Sequence, residues 1–386
     1  MALPAYELDR RIDAVRGLLE INNLDFVFVY FDELNVMNGR YLTGWAPSVE
    51  KGAVIVSKYC DPFLIGGPEA APFAELESAI KTTESCIVFM VPEEEYPLAE
   101  ILDFKTIAQK YFGGSEIKRV GVVGTHSVPY QIYREFAADL SPAEIVDVTD
   151  EYERLRYVKS EWEISQVREA NAIADKAYDA LAANIIAGKH EYEAAAEAEY
   201  VMRKMGSDGT GFRTIIGSGH RSSGIIPAYS DKVFKDGEIV VTGISPRFNG
   251  YNSAVGYTFV VGNKPDDIQK EWLDNTKEAL FRTKEALKPG LSGREIDEVP
   301  RSFLLSCGYG DYCPMPFVHS CGLSEFEKPF FGPSSDDIVA ENQVICIDIA
   351  MFGNEYIPGI RFETAYLTTK DGCIPFSPHI EKVFGF

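Results

Sequence analysis

Apolar residues from Leu8 to Leu19 recur at helical spacing, and the runs DFVFVYF, GAVIVSKY, CIVFMV, RVGVVG and EIVDV that follow are short and rich in β-branched and aromatic residues. Helical stretches such as LAEILDFKTIAQKYF separate them. The alternation predicts an α/β domain ending near residue 150. The next segment, DEYERLRYVKSEWEISQVREANAIADKAYDALAANIIAG, opens with charge and becomes a long amphipathic helix. A boundary between Thr149 and Lys159 follows, and the expected domains are 1–152 and 153–386.

Beyond that boundary the pattern occurs twice. EWEISQVREANAIADKAYDALAANIIAG leads through KHEYEAAAEAEYVMRKMG to a strand, FRTIIGSG, and EWLDNTKEALFRTKEALKPG leads through LSGREIDEVPRSFLLSCG to another, PFVHSCG. Gly188 and Gly206 stand eighteen positions apart, as do Gly290 and Gly308, and each pair brackets a helix ending at glycine. A hairpin-like pair closes each half: GEIVVTGISPRFNGYNSAVGYTFVVG, then NQVICIDIAMFGNEYIPGIRFETAYLTTKDG. Two similar α+β halves are expected to pair their sheets around a shared cleft.

A length of 386 residues predicts two or three domains, and a composition 46% hydrophobic and 25% charged is that of a globular chain. Fifty-nine acidic residues against 37 basic ones give a net charge of −22, which opposes binding to nucleic acid or anionic lipid. No basic stretch followed by an apolar one opens the sequence, and no apolar run approaches bilayer length, so a cytoplasmic location is expected. The seven cysteines form no CxxC pair and read as reduced, mostly buried thiols.

The duplicated arrangement, with NGRYLTGW in the first domain and LRYVKSEWEISQVREA at the boundary, resembles the pita-bread family of creatinase, prolidase, aminopeptidase P and methionine aminopeptidase. The resemblance covers nearly the whole chain. It implies an α/β N-terminal creatinase-like domain, then an α+β pita-bread domain with internal duplication, in a homodimer. Metallopeptidases of that family hold two divalent ions with two Asp on the first hairpin, a His after the second-half helix and two Glu on the second hairpin. The family pattern places the first Asp at Gly243 and the second at Ala254, so both carboxylates are missing. The other ligands fall on His319, Asp348 (where Glu is usual) and Glu363. Three residual ligands could support at most one ion, and no metal or other cofactor is expected. The family's further imidazoles fall on Ile226 and Phe326, and its R-T-F arginine on Tyr257. Creatinase also works without metal, but its acid/base His corresponds to Ile226 and a substrate-binding Glu to Gly256, which counts against creatine itself.

His319, at a family active-site position and followed by the small residues SCG, is a catalytic candidate with Glu363 and Asp348, whose strands are otherwise Val, Ile, Phe and Tyr. Arg361 lies two residues from Glu363, on the same strand face, and the plainer reading is that the two simply pair. His220, in the loop GSGHRSSG, could replace the missing imidazole, although loop histidines are common. Substrate-binding candidates are Arg361 and Tyr257, for a substrate carboxylate, and His379, near a family substrate-contacting position. Cys321 shares a face with His319, but nothing nearby marks a lowered thiol pKa.

The leading expectation is a metal-independent hydrolase of a C–N bond in a small amidine, amide or N-substituted amino acid. The first alternative is a Xaa-Pro peptidase using a single ion on His319, Asp348 and Glu363. The second is a binding or scaffold protein that kept the fold and lost catalysis.

Overall fold

A computed structural model describes residues 3–47, 51–91 and 95–386. The chain divides into two compact units, Met1–Arg156 and Tyr157–Phe386. In the first, α1 (Ala5–Ile21) leads to β1 (Phe26–Phe31), α2 (Met37–Thr43), β2 (Gly52–Ser57), β3 (Phe63–Gly66), α3 (Ala70–Glu77) and β4 (Thr83–Cys86). Then come β5 (Ile101–Leu102), α4 (Phe104–Phe112), β6 (Arg119–Val123), α5 (Tyr130–Asp139), β7 (Glu144–Asp147) and α6 (Thr149–Arg154). Among the described residues the seven strands form one mixed sheet, ordered β5-β4-β3-β2-β1-β6-β7. Helices α4 and α5 bring Phe104 and Phe136 onto Phe28 of β1, with ring centroids 5.9 and 4.6 Å away. The run CIVFMV, read as a strand, differs: β4 ends at Cys86, and Ile87–Phe89 form a 3₁₀ turn. A short apolar run does not by itself separate strand from buried turn.

The second unit repeats. Its first half runs through α7 (Glu161–Ala182), α8 (Glu191–Lys204), β8 (Gly209–Thr210), β9 (Ile215–Ser218), β10 (Ile239–Ile244), β11 (Pro246–Phe248), β12 (Tyr251–Asn252) and β13 (Val255–Val260). Its second half runs through α9 (Asp267–Ala286), α10 (Gly293–Ser306), β14 (Val318–Ser320), β15 (Glu327–Phe331), β16 (Val344–Phe352), β17 (Gly359–Thr369) and β18 (Gly372–Pro375), closing on α11 (Pro378–Phe384). The equivalent helices α8 and α10 are both 14 residues long. Each begins with a glutamate reaching back to the backbone three residues before it, Glu193 to His190 at 2.7 Å and Glu295 to Ser292 at 2.8 Å. The four bracketing glycines are all left-handed, with φ of +92° at Gly188 and Gly206, +96° at Gly290 and +83° at Gly308.

The two hairpins do not form facing sheets. Among the described residues, eight strands make one antiparallel sheet in the order β15-β14-β16-β17-β13-β10-β9, with β18 on β17. The halves meet where β13 pairs β17, with Gly256 opposite Glu363. On one face the aliphatic residues of β16 (Ile345, Ile347, Ile349, Met351) and Phe362 join a core with helical residues such as Ala174, Tyr178 and Leu280. Strand alternation sends Asp348, Arg361 and Glu363 to the other face.

Candidate functional site

The central strands place the polar residues by register. His319 on β14 lies opposite Cys346 on β16, and Asp348 on β16 lies opposite Glu363 on β17. Glu363 in turn faces Gly256 on β13, and Gly256 faces Gly243 on β10. His319, Asp348, Arg361 and Glu363 are all buried. Such charges need partners, and each has one.

Arg361 is the hub. Its Nε and Nη2 donate to the two oxygens of Asp348 at 2.9 and 3.0 Å, and Nη2 also donates to Glu363 Oε2 at 2.6 Å. The other Glu363 oxygen stands 3.4 Å from His319 Nε2, a separation that makes the contact an ion pair rather than a short hydrogen bond. His319 Nδ1 lies 3.0 Å from the carbonyl of Ser320. The plainer reading of Arg361 and Glu363 as a same-face pair therefore holds, and the pair extends to Asp348 and His319.

A further carboxyl, Glu325, enters from the loop after β14. Its Oε1 and Glu363 Oε1 are both buried with no hydrogen-bond partner among the described residues, and a proton on Glu325 would let it donate to Glu363. Burial, then the Glu363 charge, raise the Glu325 pKa well above the usual carboxyl range. Glu363 goes the other way: burial alone would raise it, but the Arg361 and His319 charges outweigh that and lower it. Burial would lower His319, yet the facing carboxyls push it up to about 9. Burial raises Asp348, against the pull of Arg361. The cluster thus sets an imidazole pushed toward its charged form beside one carboxyl pushed toward its neutral form and another held toward its ionised form.

Three sequence candidates lie elsewhere. Tyr257 is one residue past Gly256 and so points to the opposite face, where its ring packs on Tyr178, Phe259, Phe362 and Phe384. His379, on α11, pairs with Asp179 of α7 at 2.8 Å, on the helical side. His220 is exposed in the turn Gly219–Gly224, and none of the described hydrogen bonds or ion pairs joins its ring to His319, Asp348 or Glu363. Arg361 is in the cluster, but two of its donors are already used on Asp348 and Glu363.

Glu325 is the residue the sequence reading missed, because a glutamate in the acidic loop SEFEKP carries no periodic signal that it turns inward. Phe326, where the family has an imidazole, sets its ring 4.7 Å from that of His319 and is 54% exposed, so it covers the buried histidine toward solvent. Cys321 is buried with its Sγ 3.5 Å from the carbonyl of Asn252, and the Cys346 thiol is pushed well up by burial, then by Cys321 beside it.

His319, Cys346 and Glu363 each offer a ligand atom, all within 4.8 Å of one another. The third residual ligand expected was Asp348, but both of its oxygens are held by Arg361. Gly243 and Ala254 offer no ligand atom at all. The residues present therefore do not fit the two-ion centre that the family resemblance implies.

Residues 165–370 match the family model described as metallopeptidase family M24. The chain is 34% identical to a Xaa-Pro dipeptidase of Pyrococcus horikoshii over 83% of its length and 91% of that protein's. It is 31% identical to a Xaa-Pro dipeptidase of Pyrococcus furiosus over 95% of this chain and 97% of the other. Among solved structures, the prolidase of Pyrococcus horikoshii superposes with a TM-score of 0.81 at 29% identity, covering 95% of this chain and 97% of that one. The X-Pro aminopeptidase of Thermotoga maritima gives 0.82 at 25% identity, over 95% and 97%. These neighbours bear out the expected fold, an α/β domain followed by a duplicated pita-bread domain. No helix among the described residues is long and apolar enough to cross a membrane. On the match across residues 165–370 and the identity along most of its length, the chain belongs to metallopeptidase family M24.

Proposed function

We propose that this chain hydrolyses a C–N bond in a dipeptide-sized substrate of the Xaa-Pro type, without a paired metal centre, using Glu325, Glu363 and His319. The observation that carries the reading is the contact network itself: an imidazole and carboxyls held together by one guanidinium on a single sheet face. The relatives' names favour a peptide bond over the amidine expected first. Carboxyls whose environments drive them to opposite protonation states supply an acid and a base. Glu363 takes a proton from the attacking water, Glu325 gives one to the leaving nitrogen, and the two then exchange the proton between them. The His319 imidazolium stabilises the negative charge that develops on the carbonyl oxygen.

Turnover of Xaa-Pro dipeptides by purified protein, with chelator present, tests the reading. We expect activity that survives EDTA and falls by roughly 10²–10⁴-fold in Glu325→Gln. A second reading, a Xaa-Pro peptidase on one ion, is favoured by the spacing of His319, Cys346 and Glu363. Activity lost to EDTA and restored by Mn²⁺ or Co²⁺ would establish that reading instead. Absence of turnover on every amide and dipeptide would leave a binding protein. The proposal includes a homodimer in the cytoplasm; sedimentation of the purified chain and fractionation of the cell test those two parts.

A further inference from the structure

We infer that the Arg361 guanidinium is the resident cation of this buried cluster, standing where divalent charge would otherwise balance the carboxylates, and that its removal uncovers a site for one divalent cation. The inference shares with the hydrolase reading the lack of a metal pair, but it concerns charge and space rather than turnover.

Space is the first argument. A Cβ at Gly243 would come within 3.1 Å of Arg361 Nη1 and 2.9 Å of Ile215 Cδ1. A Cβ at Gly256 would come within 3.2 Å of Arg361 Cγ and Cδ, and 3.0 Å of Glu363 Cβ. The arginine side chain thus lies along two first-half glycines, and a Cβ at either position would press on it and make it give way. Gly243 is one of the two places where the resemblance implies a metal-binding Asp. The missing carboxylate and the seated arginine are therefore two sides of one arrangement.

Charge is the second. Arg361 binds Asp348 through both oxygens and Glu363 through one, so the second-half carboxylates that would coordinate an ion are already paired with a fixed cation. A divalent ion bound to Glu363 Oε1 and His319 Nε2 would share that carboxylate with Nη2, at short range and out of water, where like charges repel strongly. Take the guanidinium away and the donors are still present: His319, Asp348, Glu363 and Glu325, with Cys346 alongside. Nitrogen, oxygen and sulfur donors together suit Zn²⁺ or Co²⁺.

The test is equilibrium dialysis of the full chain, stripped with chelator, against Zn²⁺, Co²⁺ or Mn²⁺, with elemental analysis and the visible absorption of bound Co²⁺. We expect no stoichiometric ion in the native protein or in Arg361→Lys, and one per chain in Arg361→Gln that disappears when His319→Ala is added. An ion held by the native protein and lost in His319→Ala would overturn the inference. So would uptake by Arg361→Lys, or a folded Arg361→Gln that takes up nothing. If Arg361→Gln folds only when one of these ions is supplied during refolding, the inference stands; if no ion rescues folding, it fails. Because uptake is read on the protein itself, failure to find a hydrolysed substrate does not decide it either way.

Discussion

The two hairpins of the second unit are equivalent by position and opposite in chemistry. On the second, β16 and β17 carry Asp348, Arg361 and Glu363 on the sheet face away from the helices. On the first, β10 and β13 present Gly243 and Gly256, with Ala254 just before β13. A duplicated fold thus need not share its charges between its halves. One half here supplies the ionisable groups of the cluster, and the other supplies two glycines along which the long side chain of Arg361 lies.

Removing the hub should show this asymmetry most strongly. Arg361→Leu leaves Asp348 and Glu363 buried without their cation, and we expect a loss of about 3–5 kcal/mol in urea unfolding with chelator present. A loss under about 1 kcal/mol would mean that water already reaches these carboxylates. His319 provides the next largest effect. Its folded pKa of about 9 lies above the ordinary 6.5, so its contribution is fully present below the ordinary value and lost as pH rises through 9. That window corresponds to about 3 kcal/mol, and it should vanish in His319→Gln. Urea midpoints across this alkaline range would measure it, and a native protein whose stability is flat there would contradict the ion pair with Glu363.

The glycines can be tested from the other side. Gly256→Ala forces Glu363 or Arg361 to give way, and we expect about 1–3 kcal/mol of destabilisation. Gly372→Ala, on the same sheet with nothing within 4 Å of the added carbon, should stay within about 0.5 kcal/mol of the native protein. In an Arg361→Ala background the Gly256→Ala cost should shrink, giving a coupling of about 0.5–3 kcal/mol. Purely additive thermal melts would show that the glycine is needed for its backbone alone.

The duplication was legible because helix ends are written locally: a left-handed glycine and a back-reaching glutamate punctuate α8 and α10 alike. Strand runs were less so, and CIVFMV became a turn. How the halves join was not legible, since the β13–β17 pairing is set by tertiary packing rather than by either strand's sequence. Within the site, period-two alternation from Glu363 led correctly to Arg361. The same rule applied to Gly256 turns Tyr257 away from the face that carries Glu363. Glu325 escaped because a chain with 59 acidic residues offers no sequence contrast between a buried glutamate and a solvated one. Its role depends on the loop that carries it inward.

His379 marks the far end of the comparison, a histidine at a position suggested by family resemblance but placed on the helical side of the sheet. Its partner Asp179 is 47% exposed and its own ring 39%, so solvent screens the pair. His379→Ala should therefore cost only about 0.2–1 kcal/mol, less at high salt. Turnover should change by less than about two-fold, because a partly exposed pair behind the sheet does not reach the reacting groups in front of it. KM and kcat measured together would decide. A rise in KM alone would mean that the substrate reaches α11 on the helical side of the sheet, whereas unchanged constants would agree with chemistry on the face that carries His319 and Glu363.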